Sequence, residues 1–190
     1  MTLKEQFPMI LLVAGSGRNV GKTSLICKII EKIRHTNRIV AIKLTNHFHA
    51  TTNNSGEDIV LYQTDGYTIY KEETISTKDS GRFLLSGAEM VLYIEALKQC
   101  TKEAFLKALT LIPKDSAIIC ESGGLSDHTQ ASGFILVVGN TIKNKSEQDQ
   151  RLPMADLVFD SSDENVAFDV SAIRFEDGGW NIGVKRDRLK

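Results

Sequence analysis

Ten consecutive residues carry the strongest chemical signal in this chain: Gly15-Ser16-Gly17-Arg18-Asn19-Val20-Gly21-Lys22-Thr23-Ser24. Glycines let backbone N–H groups face a phosphate with no Cβ in the way. A helix beginning near Gly21 would add its N-terminal donors and dipole. Lys22 can neutralise the outer phosphates of a nucleoside triphosphate, and the Thr23 hydroxyl can complete a Mg²⁺ shell that otherwise keeps waters. The usual pattern is GxxxxGK[ST]. Here the first glycine stands one residue further out, giving GxxxxxGKT. Residues Gly17 to Ser24 are therefore the expected phosphate-binding set, with Lys22 acting on the terminal phosphate and Thr23 on the metal.

Other candidates lie further along. Glu121 ends an apolar run and opens the turn Ser122-Gly123-Gly124, where a carboxylate can hold Mg²⁺ or its waters beside Thr23. Lys43 ends another apolar run, and a phosphate or an anionic substrate would explain a lysine there; so would a side chain that snorkels at the sheet edge. Asp79 and Arg82 open a short helix. There Asp79 could orient water or bind a metal's water, or merely cap the helix, and Arg82 could contact phosphate. His47 and His49 lie in a polar loop with Glu57 and Asp58 downstream, a spacing better suited to a loop over a site than to a transition-metal centre. Asn144-Lys145-Ser146-Glu147 has a guanine-reading look, with Glu in place of Asp, but a charged surface loop is favoured. Asn140, directly after an apolar run, is the competing base contact.

These residues need a scaffold. Residues 9–14 are continuously apolar, which fits a strand buried on both faces. Residues 22–34 place Leu25, Ile26, Ile29, Ile30 and Ile33 at helical spacing, and residues 38–44 return to a strand. Together they predict a right-handed β–loop–α–β crossover with parallel strands. Asp65-Gly66 between two β-rich runs predicts a hairpin over about 59–72, read as an exposed insertion whose Tyr62, Tyr67 and Tyr70 could face a partner. Further helices are expected at 79–87 and 102–111. Strands are expected at 89–94, 117–120, 134–138 and 156–159, and two more in an appended tail of about 161–190, around Asp177-Gly178-Gly179. The alternation predicts one three-layer α/β domain over 1–190 with a mostly parallel sheet, plus the hairpin and the extra C-terminal strands.

Composition narrows the class. The 190 residues include 23 Lys plus Arg and 24 Asp plus Glu, for a net charge of −1, so neither nucleic acid nor a membrane is an expected partner. The three cysteines, Cys27, Cys100 and Cys120, form no CxxC pair and read as free thiols of a reducing cytoplasm.

The layout resembles the P-loop NTPase branch that contains dethiobiotin synthetase and the molybdopterin-guanine dinucleotide biosynthesis protein B family. The spacing of Gly15–Thr23, the strand-end lysine of Ala41-Ile42-Lys43 and the turn Glu121-Ser122-Gly123-Gly124 look like the synthetase. Lys43 with His47 and His49 close behind, and Lys78-Asp79-Ser80, Arg82 and Ser86-Gly87-Ala88, are similar to the molybdopterin family. The resemblance implies Mg²⁺ and ATP or GTP as cofactors, weak NTPase activity in molybdenum-cofactor biosynthesis, and Lys22, Asp79 and Glu121 as catalytic residues. The alternatives it leaves open are an ATP-dependent ligase and a nucleotide-gated binding module with negligible turnover. An anionic small molecule or a partner protein would be the second ligand, and a homodimer the assembly.

Overall fold

A computed structural model describes residues 5–46, 48, 58–139, 150–162 and 168–183. The chain runs β1 (Glu5–Gly15), α1 (Lys22–Ile33), β2 (Ile39–Thr45), β3 (Ile59–Gln63), β4 (Tyr67–Lys71), α2 (Asp79–Ser86), β5 (Met90–Ala96), α3 (Thr101–Leu109), β6 (Ala117–Ser122), β7 (Thr129–Val138), β8 (Leu157–Asp160), β9 (Ile173–Glu176) and β10 (Gly179–Ile182).

Eight strands form one sheet in the order β3-β4-β5-β2-β6-β1-β7-β8. From β5 to β8 neighbouring strands are parallel. Continuous apolar strands need cover on both faces, and they receive it. Leu25, Ile26, Ile29 and Ile30 of α1 and Phe83 of α2 pack with Leu11, Val13 and Ile119 on one face. Ala104, Phe105 and Ala108 of α3 pack with Ile10, Leu12 and Ile118 on the other. The result is a three-layer α/β fold with a mostly parallel sheet, as the alternation of apolar runs implies.

Two additions sit more tightly than expected. The 59–71 hairpin is not an exposed insertion. Its second strand, β4, pairs antiparallel with β5 and extends the main sheet. Tyr67 and Tyr70 are buried, whereas Ile59, Val60 and Tyr62 of the outer strand β3 are exposed. The difference is physical: β5 offers a free edge, and the apolar Tyr67–Tyr70 run gains burial by closing it. The tail strands β9 and β10 form a separate antiparallel pair that packs on the α1 side through Ile173 and Trp180. The Trp180 indole donates to the Met9 carbonyl at 2.9 Å.

Strand order places the site. β1, β6 and β2 are adjacent, with Val13 opposite Glu121 and Glu121 opposite Lys43. Side chains two apart along a strand share a face. Val13 and Ile119 therefore put the Lys43–Glu121 row on the α1 and α2 side, at the carboxyl edge where the Gly15–Gly21 loop begins.

Candidate functional site

The Gly15–Gly21 loop is held from several sides. The Ser16 amide donates to Val137 at 2.9 Å, and the Ser16 hydroxyl accepts from the Gly139 amide at 3.2 Å. The Ser161 hydroxyl, just past β8, donates to the Val20 carbonyl at 2.8 Å. Asn19 and Gly21 take left-handed φ values of 58° and 89°, which turns the chain into α1. A Cβ on Gly21 would also meet the Phe168 ring at 2.8 Å.

Helix α1 has no side-chain cap and no acidic residue in its first turn. A helix start without a side-chain cap is what an anion-binding terminus needs. Lys22 folds back over the loop, donating to the Gly17 carbonyl at 2.6 Å. Gly15 makes room for that lysine, because a Cβ there would lie 2.8 Å from Lys22 Cδ. Burial depresses the Lys22 pKa; the charge of Glu121 opposes that shift, and Lys43 adds to it.

Beside the loop stands an ion cluster. Lys43 Nζ donates to Glu121 Oε1 at 2.6 Å and to Asp79 Oδ2 at 2.8 Å. The Thr23 hydroxyl donates to the other Glu121 oxygen at 3.3 Å. Glu121 is only 3% exposed, so its charge depends on Lys43. Burial works against the ammonium of Lys43, yet the charge of Glu121 and the bonds to both carboxylates keep its pKa above the ordinary value. Burial likewise works against ionised Asp79, and the bond to Lys43 and its charge override it, so that carboxyl lies below its usual range. Arg82 reaches from α2 to the Ser24 hydroxyl at 3.2 Å.

Loop and cluster line one cavity of about 820 Å³. The expected residues Gly17 through Ser24, Lys43, Asp79, Arg82 and Glu121 all border it. Asn140, His47, His49 and the Asn144–Glu147 run lie outside the described residues. Sequence reasoning missed Asn46, Lys98, Asp127 and Arg151, which also border the cavity. Asn46 directly follows β2 and Lys98 stands two residues after β5, and the rule that ligands sit at the carboxyl ends of parallel strands could have found them. Arg151 had no such signal.

The donor set suits a divalent cation with a phosphate chain. Thr23 supplies a hydroxyl and Glu121 a buried carboxylate, both hard oxygen donors, and the Gly15–Gly21 loop supplies amides for the anion. The described residues contain no group of three or more His, Cys, Asp or Glu that would hold a metal ion unaided.

No protein-family model matches the chain, and no curated protein does. Among solved structures it is similar to a Zn(II)-bound triple mutant of the YjiA GTPase, at 16% identity and a TM-score of 0.36, over 81% of this chain and 49% of that one. This chain thus spans about half the length of that protein. The functional reading rests on the geometry of the site.

Proposed function

We propose that this chain binds a Mg²⁺–nucleoside triphosphate, ATP or GTP, and acts slowly on its terminal phosphate. The observation that carries the reading is the meeting of Thr23 and buried Glu121, 3.3 Å apart, directly beneath a glycine loop crossed by Lys22. The Gly17–Gly21 backbone and the amides of α1 would cradle the phosphate chain, and Ser24 with Arg82 would border it. Thr23 and Glu121 would hold Mg²⁺, which when bound neutralises charge on the phosphate oxygens.

Catalysis of this kind needs positioning and charge stabilisation rather than a covalent residue. Lys22 supplies a fixed positive charge once it exchanges the Gly17 carbonyl for phosphate. Lys43 is the second cation. It is poised between two carboxylates, so an incoming anion can take over part of its coordination while Asp79 retains it. Asp79 can then accept a hydrogen bond from water or from a second substrate near the phosphate. The similarity of Lys43, Asp79 and Arg82 to the molybdopterin family supports a place in cofactor biosynthesis. A ligase reading, in which an added substrate accepts the phosphoryl group, is favoured by one observation: the cavity continues well beyond the phosphate loop.

A thermal-shift panel tests this reading. ATP, GTP and their diphosphates are added with and without Mg²⁺, to wild type and to Lys22→Ala. At about 100-fold over Kd the expected rise is roughly 5–10 °C, dependent on Mg²⁺ and lost in Lys22→Ala. No shift with any nucleotide overturns the reading. Phosphate release that appears only with an added substrate would favour the ligase.

A further inference from the structure

Helix α1 is gripped at both ends by one stretch of the tail. At its far end Lys32 turns its ammonium onto the segment that leads into β9. It donates to the carbonyls of Val170, Ser171 and Ile173 at 2.7, 2.8 and 2.8 Å. An ammonium has three protons to give, and this one gives all three to a single turn of the chain. The strand pair beyond is fixed in its turn. The Trp180 indole donates to the Met9 carbonyl, and the Trp180 amide donates to the Ser132 hydroxyl at 3.3 Å.

At the near end stands Phe168. Its ring meets Phe159 of β8 edge to face, with centroids 5.3 Å apart, and the Lys28 ammonium lies 6.0 Å from its centre. Other contacts hold Ser16 and Val20 of the phosphate loop; the space beside Gly21 is closed by Phe168, whose Cζ would lie 2.8 Å from a Cβ there. Gly21 is the left-handed residue, at φ 89°, that turns the loop into α1. Its backbone sets the direction of the amides that follow, and with them Lys22 and Thr23. Neither Phe168 nor Lys32 borders the cavity, so any effect of theirs on a ligand passes through Gly21. Lys32 stands 11 residues from Gly21, about 16 Å along a helix.

We propose that the segment 168–173 is a clasp that sets the phosphate loop: Lys32 holds the segment, the segment holds Phe168, and Phe168 keeps Gly21 in the conformation that receives phosphate. This rests on the reading of the loop as a nucleotide site and gives that site two positioning residues, Lys32 and Phe168. Coupling of this kind is reciprocal. The docked tail favours bound nucleotide, and bound nucleotide tightens the tail by the same factor.

Lys32→Met, Phe168→Ala and the double variant test the clasp in the full chain, at temperatures where thermal melts show each to be folded. One readout is the amide spectrum of the ¹⁵N-labelled, ligand-free protein. The other is affinity for a non-hydrolysable ATP or GTP analogue with Mg²⁺. Lys32→Met is expected to move the Gly21 amide signal from the other end of α1, and to move it no further once Phe168 is replaced. Each single variant should weaken nucleotide binding about fivefold, and the double variant no more than Phe168→Ala alone, as residues acting through one another behave. In wild type, saturating nucleotide should slow hydrogen exchange of the Ile173 amide, which donates to Val170 at 3.1 Å, by the same factor. An unmoved Gly21 signal in Lys32→Met overturns the proposal. So does unchanged affinity in Phe168→Ala, an additive loss in the double variant, or exchange at Ile173 that ignores bound nucleotide. Should Phe168→Ala fail to fold, Phe168→Leu takes its place, and Lys32→Met, at an exposed position, still decides through Gly21. If wild type binds no nucleotide, the nucleotide reading fails by itself, while the Gly21 signal of the ligand-free variants still decides the clasp.

Discussion

The phosphate loop and the Lys43 cluster face one cavity but are made in opposite ways. The loop is ten consecutive residues whose amides, glycines and lysine are polar and open to the cavity. The cluster gathers one side chain from β2, one from α2 and one from β6, and one member, Glu121, is almost wholly buried. The loop is thus a binding device whose lysine contributes little to stability, while Val20 and Ser16 anchor it to the core. The cluster is a structural element whose charges hold one another in place until an anion arrives. Substitutions in the two regions should separate stability from ligand binding.

The largest effect is expected at Lys43. Lys43→Ala strands a buried carboxylate, and breaking such a pair costs about 3–5 kcal/mol, read by urea denaturation without ligand. Replacing both partners, Lys43→Met with Glu121→Leu, should restore most of that loss, because two apolar side chains leave no charge behind. Lys22→Ala, by contrast, should change unliganded stability by less than about 1 kcal/mol while abolishing the nucleotide-dependent thermal shift. Equal destabilisation by Lys22→Ala and Lys43→Ala would erase the distinction between the two regions.

A smaller effect sharpens the description of the loop. Gly15→Ala places a methyl 2.8 Å from both Lys22 Cδ and Val20 Cγ2. The lysine stem can swing away; the valine is firmer. We expect a stability loss of about 1 kcal/mol and a nucleotide-dependent shift reduced by more than half, since the displaced ammonium is the one meant for phosphate. An unchanged shift would mean that Lys22 reaches its ligand by a path that does not cross Gly15.

These contrasts also mark what the sequence disclosed. The loop was legible because its whole geometry is local: an apolar strand, a run of glycines, and a helix with Leu25, Ile26, Ile29 and Ile30 on one side. Lys43 and Glu121 were legible as chemistry at strand ends. Their 2.6 Å contact was not, because it needs β2 and β6 to be neighbours, which is a property of the folded sheet. The hairpin was legible from Asp65-Gly66, but not its docking, because the burial of Tyr67 and Tyr70 depends on the free edge of β5. Trp180 bonds to a carbonyl 171 residues away, and nothing in the tail's own pattern signals it. Arg151 is the extreme case, a lone arginine in a polar stretch made notable only by the cavity beside it.

The cluster also predicts how stability follows pH. The Asp79 carboxyl is held below its unfolded value of 3.8, so its contribution is present above that pH and fades as pH falls through the folded value. Lys43 is held above 10.5, so its contribution is present below that pH and fades as pH rises through the folded value. Asp79→Asn should therefore narrow the difference between neutral and acid stability, by less than about 1 kcal/mol because Asp79 is part-exposed and solvent screens its pair. Denaturation of wild type and variant at neutral pH and below pH 3.8 measures it. A variant whose acid loss equals that of wild type would show that the Lys43–Asp79 bond contributes nothing to stability.

The smallest effect is expected at the sheet's outer edge, where the hairpin departs furthest from the cluster. Ile59 lies in β3 and is 50% exposed, whereas Ile69 in the next strand is fully buried. Ile59→Ser removes little buried surface and leaves no polar group stranded, so stability should move by no more than about 0.5 kcal/mol and nucleotide affinity not at all. The position is informative because β3 is apolar without being core: Ile-Val-Leu-Tyr reads like an interior strand, yet among the described strands it pairs with β4 alone. A loss of 2 kcal/mol or more in Ile59→Ser that fades on dilution would mean that another chain covers β3 in solution. A loss independent of concentration would mean that β3 packs more deeply against its own chain than its exposure indicates.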